Sequence, residues 1–137
     1  MALIVLQTAR TIRGKSFAMT QPRANITTRQ QDGVTVVQLQ DRKILEEMVI
    51  NNIGESLAHL MENQTRPQLL LDFTNVEHLS SAALGMLITL HKQLADKRGQ
   101  LVLANIHPQI FEVFKITRLN KLFNIQNTTE DALKAFG

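Results

Sequence analysis

The chain has 137 residues, 44% hydrophobic and 20% charged, which is enough apolar material for one core and too much for a disordered chain. It has no cysteine, so a disulfide framework, a thiolate nucleophile and a thiolate metal site are excluded, and a reducing cytoplasm is the simplest location. The net charge of +3 suggests an anionic partner, yet residues 1–31 hold five basic groups (Arg10, Arg13, Lys15, Arg23 and Arg29) and no acidic one. The basicity therefore belongs to the amino-terminal segment, and the body is slightly acidic.

Residues 1–23 are expected to form a basic, flexible leader ahead of a domain over 24–137. A start at Met19 and an amphipathic surface anchor are the alternatives. The apolar runs Ala2 to Leu6 and Ala82 to Ile88 fall far short of the ~20 residues that cross a bilayer. Arg10, Arg13 and Lys15 follow the first run rather than precede it, which argues against a secretory signal.

Between Asn25 and Gln40 the spacing predicts two short strands joined at Asp32-Gly33, a pair that supplies the positive φ angles of a tight hairpin. From Glu46 to Asn63, Val49 or Ile50, Ile53, Leu57, Leu60 and Met61 recur at steps of three and four, an amphipathic helix that Arg66-Pro67 ends. Gln68 to Phe73 reads as a strand buried on both faces. Thr74 to Leu79 reads as a loop, and Ser80 or Ser81 as the N-cap of a helix placing Leu84, Leu87, Ile88, His91 and Leu94 on one face. That helix should stop at Gly99, and Gly85 inside it should permit close packing. Leu101 to Ala104 is a further buried strand. Pro108 opens a helix with Ile110, Phe111, Val113 and Phe114 on its apolar face. Leu122 to Ile125 is a last strand, and Thr128 or Thr129 caps a closing helix through Phe136. Strands alternating with helices of this length predict an α/β fold: a small mixed sheet with helices packed on it.

No catalytic set, cofactor or metal is expected. His59, His78, His91 and His107 fall on different elements without metal-ligand spacing. No G-x-G-x-x-G or G-x-x-x-x-G-K-[ST] occurs, and neither Ser80 nor Ser81 lies in a G-x-S-x-G elbow. The body lacks Tyr and Trp, and its Phe residues follow apolar patterns rather than basic ones, so no specific nucleic acid is expected. The one suggestive feature is Leu79-Ser80-Ser81-Ala82-Ala83-Leu84-Gly85. It sets two hydroxyls at a helix amino terminus, where free N–H groups and the helix dipole accommodate a phosphoryl group; a plain serine cap accounts for one of them.

Leu69-Leu70-Leu71-Asp72-Phe73-Thr74-Asn75-Val76, Ser80-Ser81 before Leu84-Gly85-Met86-Leu87-Ile88, and Gly99-Gln100-Leu101-Val102-Leu103-Ala104-Asn105 resemble the STAS domain of bacterial anti-sigma factor antagonists. The likeness continues through Pro108, Ile110, Val113, Ile116-Thr117 and Leu119-Asn120-Lys121-Leu122-Phe123 and covers about residues 24–137. It implies the STAS fold and a non-enzymatic binding module that sequesters an anti-sigma factor of the serine-kinase type. Transcription is thereby regulated, and serine phosphorylation switches the binding. An anti-sigma factor or serine protein kinase is the implied partner, and a phosphatase the further partner of such a switch. The implied partner-binding residues are Ser80, Ser81, Ala82, Ala83 and Met86, with Ser81 and Ser80 as phosphorylation candidates.

The family's loop usually reads D-S-S-G-L-G, with the second serine as acceptor. Counted from Asp72 without a gap, Ser80 falls on the family's aspartate, Ser81 on its first serine, Ala82 on the acceptor and Ala83 on the glycine. Ser81 serves if the loop is shifted by one or if this branch uses the first hydroxyl. The alternative is a STAS scaffold subunit of a lipid-transport or stressosome-like complex, without phospho-switching.

Overall fold

A computed structural model describes residues 24–136; the expected basic leader, residues 1–23, lies outside the described residues. The chain runs through β1 (Ile26–Gln31), β2 (Val34–Leu39), β3 (Lys43–Ile44), α1 (Glu47–Met61), β4 (Gln68–Asp72), β5 (His78–Leu79), α2 (Ser81–Asp96), β6 (Gln100–Ala104), α3 (Pro108–Ile116), a 3-10 turn (Leu119–Lys121), β7 (Asn124–Gln126) and α4 (Thr129–Lys134). Five strands form one mixed sheet in the order β1-β2-β4-β6-β7. The β1–β2 pair is antiparallel and the remaining pairs are parallel. The hairpin turns at Asp32 and Gly33, both with positive φ (55° and 78°), as the Asp-Gly pair requires.

Alternation along the central strands feeds two cores. Leu69, Leu71, Leu101 and Leu103 join Val37 and Leu39 under the buried faces of α1 (Ile50, Ile53, Leu57, Met61), α2 (Leu84, Leu87, Leu90, Leu94) and α3 (Ile110, Phe114). On the opposite side Val34, Val36, Leu70, Val102 and Ala104 pack with Ala132 of α4. A strand covered on both faces reads as a continuous apolar run, which is why Leu69-Leu70-Leu71 shows no alternation in the sequence. Phe123 closes the first core with edge-to-face contacts to Phe114 (5.9 Å) and His91 (5.6 Å). His91 thus stands on the apolar face assigned to it.

Several expectations shift. Leu122 precedes the last strand, which begins at Asn124, because the 3-10 turn consumes the chain up to Lys121. The closing helix ends at Lys134 rather than Phe136. His78 and Leu79, expected in a loop, form β5 by pairing with Lys43 and Ile44, a two-residue ladder too short to give a pattern. Gly85 faces open space: a Cβ built there meets nothing within 4 Å, so close packing is not its role. Close approach occurs at two other glycines. A Cβ on Gly54 of α1 would lie 3.2 Å from Met86 Cγ, and one on Gly99 only 2.2 Å from the Pro67 carbonyl oxygen.

Candidate functional site

In a parallel sheet covered by crossover helices, the helix amino termini collect at the carboxyl ends of the strands. Ser80 is the N-cap of α2: its backbone is extended (φ −87°, ψ 167°) and its Oγ accepts from the Ala83 N–H at 3.2 Å. Ser81 is the first helical residue. It is exposed, and its hydroxyl makes no hydrogen bond among the described residues. The N–H groups of Ser81 and Ala82 lack intrahelical acceptors because of their position in the first turn. One serine therefore holds the turn, and the other offers a free hydroxyl beside the positive end of the helix dipole.

The segment leading into the cap is fastened to β3. The N–H groups of Glu77 and His78 donate to the Arg42 carbonyl at 2.8 and 3.0 Å, and the Ser80 N–H donates to the Ile44 carbonyl at 3.1 Å. Arg42 also pairs with Glu77 through side chains at 3.0 Å. That hydrogen bond, and then the guanidinium charge, hold the Glu77 carboxyl below the usual carboxylate range and raise the guanidinium's own pKa.

Behind the loop stands a polar knot at the ends of β4 and β6. Asp72, only 7% exposed, accepts on Oδ1 from the Thr74 N–H (2.9 Å), the Thr74 hydroxyl (2.5 Å) and Asn105 Nδ2 (2.9 Å). Asn105, at φ 60°, also donates to Thr129 Oγ1 at 2.9 Å, and His107 Nε2 lies 2.6 Å from the Thr74 carbonyl. The knot fixes the strand ends from which the site's loops depart.

Of the residues singled out in the sequence, Ser81 and Ala82 are exposed, Ser80 is half-buried as the cap, and Met86 is half-buried one turn on. Ala83 is fully buried in the core beneath the first turn and presents no surface. Gly54, Ile50, Asn51 and Thr89 line, with Met86, a groove of about 340 Å³ between α1 and α2. Leu45, 48% exposed, directly follows the Ile44 carbonyl that holds Ser80, and Met48, 65% exposed, lies in the first turn of α1. Sequence reasoning missed both. Only the break of Met48 from the α1 periodicity could have marked it as surface, and Leu45, outside the helix, carried no such signal. His59, His78, His91 and His107 sit on separate elements, and among the described residues no group of three or more His, Asp or Glu side chains is placed to hold a metal ion. The arrangement is suited to holding a partner surface: an exposed hydroxyl, a rigid helix end and flanking apolar side chains.

A family model of the STAS domain matches residues 25–132. BtrV of Bordetella bronchiseptica, which is named as an anti-sigma factor antagonist, is 30% identical over 105 residues, 77% of this chain and 88% of that protein. The anti-sigma-B factor antagonist of Listeria monocytogenes is 32% identical over 59 residues, 43% of this chain and 52% of its own length. Among solved structures, an anti-sigma-factor antagonist (STAS) domain protein from Planctomyces limnophilus superposes with a TM-score of 0.75 at 21% identity, covering 85% of this chain and 100% of that one, a likeness of fold.

Proposed function

The chain belongs to the STAS domain family, and from that premise we propose that it is an anti-sigma factor antagonist that acts by binding rather than by catalysis. Its partner is an anti-sigma factor of the serine-kinase type in the cytoplasm, and sequestering that partner regulates transcription. The contact surface is the start of α2, with Ser81 and Ala82 at its centre, Leu45 and Met48 beside it and Met86 at the mouth of the groove. The observation that carries the reading is the division of labour between the serines: the Ser80 hydroxyl is engaged by Ala83, and the Ser81 hydroxyl is exposed.

Ser81 is the residue phosphorylated. A phosphoryl group adds roughly −1.5 to −2 charges, which the first-turn amides accommodate within this chain. Against an apolar or acidic partner patch, the same dianion is desolvated or repelled, and the binder becomes a non-binder. A phosphatase that removes the group restores binding. Ala82, at the family's usual acceptor position, favours a second reading: a scaffold subunit that docks a partner through the same surface without modification.

Incubation of the purified chain with its cognate kinase and ATP, followed by intact-mass analysis, separates the two. The first reading requires a gain of about 80 Da, one phosphoryl group, that disappears in Ser81→Ala. No gain, or a gain that survives Ser81→Ala, removes Ser81 as the acceptor.

A further inference from the structure

Helices that cross between parallel strands run back along the sheet, so the carboxyl ends of α1, α2 and α3 open on the end of the domain opposite Ser81. Three arginines there adopt the left-handed backbone conformation: Arg66 (φ 54°), Arg98 (φ 59°) and Arg118 (φ 64°). Arg98 stands just past the cap of α2, where its N–H donates to the Ala95 carbonyl (2.9 Å) and the Gly99 N–H to Leu94 (2.7 Å). Arg118 stands likewise after α3, with its N–H on the Lys115 carbonyl at 3.0 Å. Glycine is the usual occupant of this position, yet a guanidinium side chain is carried at both. Arg66 and Arg98 are neighbours, because Gln68 and Gln100 stand in register and the Gln100 N–H donates to the Pro67 carbonyl at 2.9 Å. Lys121 follows Arg118 by one turn, its N–H on the Arg118 carbonyl at 3.2 Å.

Arg66, Arg98, Arg118 and Lys121 make no ion pair among the described residues. Two other cations of this end are engaged: Lys115 pairs with Glu112 at 2.9 Å, and Lys97 Nζ donates to the carbonyls of Met61 and Glu62 at 3.0 and 3.1 Å. Besides Glu112, the carboxylates at the same end are Asp32, Glu62 and Asp96, of which Glu62 faces His59 at 3.3 Å. Beside Arg118 and Lys121 in the chain stand exposed aliphatic side chains: Ile116 (79%), Leu122 (42%) and Val113 (37%). Ile110 and Phe114 take the core face of α3, so Val113 and Ile116, three residues apart, share the outward one.

Aliphatic tips on a helix end that also carries unpaired cations match the boundary of an anionic bilayer, where the tips enter the acyl edge and the cations meet headgroup phosphates. A nucleic acid would use the cations but gain nothing from Ile116 or Leu122. We propose that this end of the domain, built on Arg66, Arg98, Arg118, Lys121 and Ile116, is a peripheral docking surface for a membrane rich in anionic phospholipid. It lies opposite the Ser81 surface, so a membrane and a protein partner are held at the same time, and it does not depend on the Ser81 reading.

The test is co-sedimentation of the full chain with phosphatidylcholine vesicles, with and without phosphatidylglycerol. The chain is expected to pellet only with the anionic vesicles and to be released as salt rises. The triple variant Arg66→Gly, Arg98→Gly, Arg118→Gly places glycine where the backbone favours it, so it keeps the fold. It is expected to bind on the order of 100-fold more weakly, roughly fivefold for each cation withdrawn. Ile116→Ser at an exposed position costs roughly tenfold. Should the triple variant fold poorly, Lys121→Glu supplies the charge test at an exposed site. Binding unchanged in these variants overturns the proposal and moves the contact to residues 1–23 or another face. A chain that ignores anionic vesicles overturns it too, whether it binds polyuridylic acid through the arginines or forms a dimer that Ile116→Ser dissociates.

Discussion

Replacing Ser80 by alanine deletes the acceptor of the Ala83 N–H, 3.2 Å from Ser80 Oγ, and leaves that amide unpaired on a fully buried residue. Loss of a serine N-cap costs about 0.5–2 kcal/mol, and the rather long bond here places the expected loss at about 1 kcal/mol. For a domain of this size that is roughly a 4 °C fall in Tm. Ser81→Ala removes a hydroxyl with no hydrogen bond among the described residues and puts a better helix former in the first turn, so stability should hold or rise by about 0.5 kcal/mol. Ser80→Asp keeps an acceptor and adds a negative charge favoured at a helix amino terminus, so it should recover most of the loss. Urea denaturation of the four proteins, compared at constant m, measures the differences directly. If Ser81→Ala costs as much as Ser80→Ala or more, the assignment of one serine to structure and the other to the surface is refuted.

Gly99→Ala should lose about 2–3 kcal/mol in the same assay, because its Cβ would fall 2.2 Å from a backbone carbonyl that cannot move aside. Gly85→Ala, in open space within a helix, should instead gain about 0.5–1 kcal/mol. Asp72→Ala should cost about 3 kcal/mol, since it strips the Thr74 N–H, the Thr74 hydroxyl and Asn105 Nδ2 of one shared acceptor. The depressed Glu77 carboxyl contributes stability that is present above the ordinary carboxylate pKa and is lost as pH falls through its lowered folded value. Carboxyl-detected NMR should show Glu77 titrating below the usual range, and Arg42→Ala should return it there.

Much of the scaffold was legible because a single physical cause acted locally. Asp32-Gly33 announced the hairpin through its positive φ angles, and the α1 and central strands announced themselves through period and continuous apolarity. What the sequence hid depends on tertiary contact. The β3–β5 ladder exists only because the chain after β2 returns beside the chain before α2, and two residues per strand leave no pattern. Glycine roles could not be told apart: Gly85 looked like a packing residue inside an apolar run, whereas the crowded positions are Gly54 under Met86 and Gly99 against Pro67. Ala83 was grouped with its neighbours Ser81 and Ala82, but helical geometry turns it inward after one third of a turn. The left-handed arginines gave no sign either, since arginine is an ordinary residue near a helix carboxyl terminus and only the backbone shows where glycine would be expected.

The most direct measurement is the affinity of the chain for the serine-kinase anti-sigma factor proposed as its partner, by titration calorimetry, for the unmodified protein, Ser81→Ala and Ser81→Asp. Ser81→Ala is expected to bind like the unmodified protein and Ser81→Asp at least tenfold (~1.4 kcal/mol) more weakly, because a negative charge at the centre of the proposed contact must be desolvated. A Ser81→Asp protein that binds as tightly as the unmodified chain contradicts it.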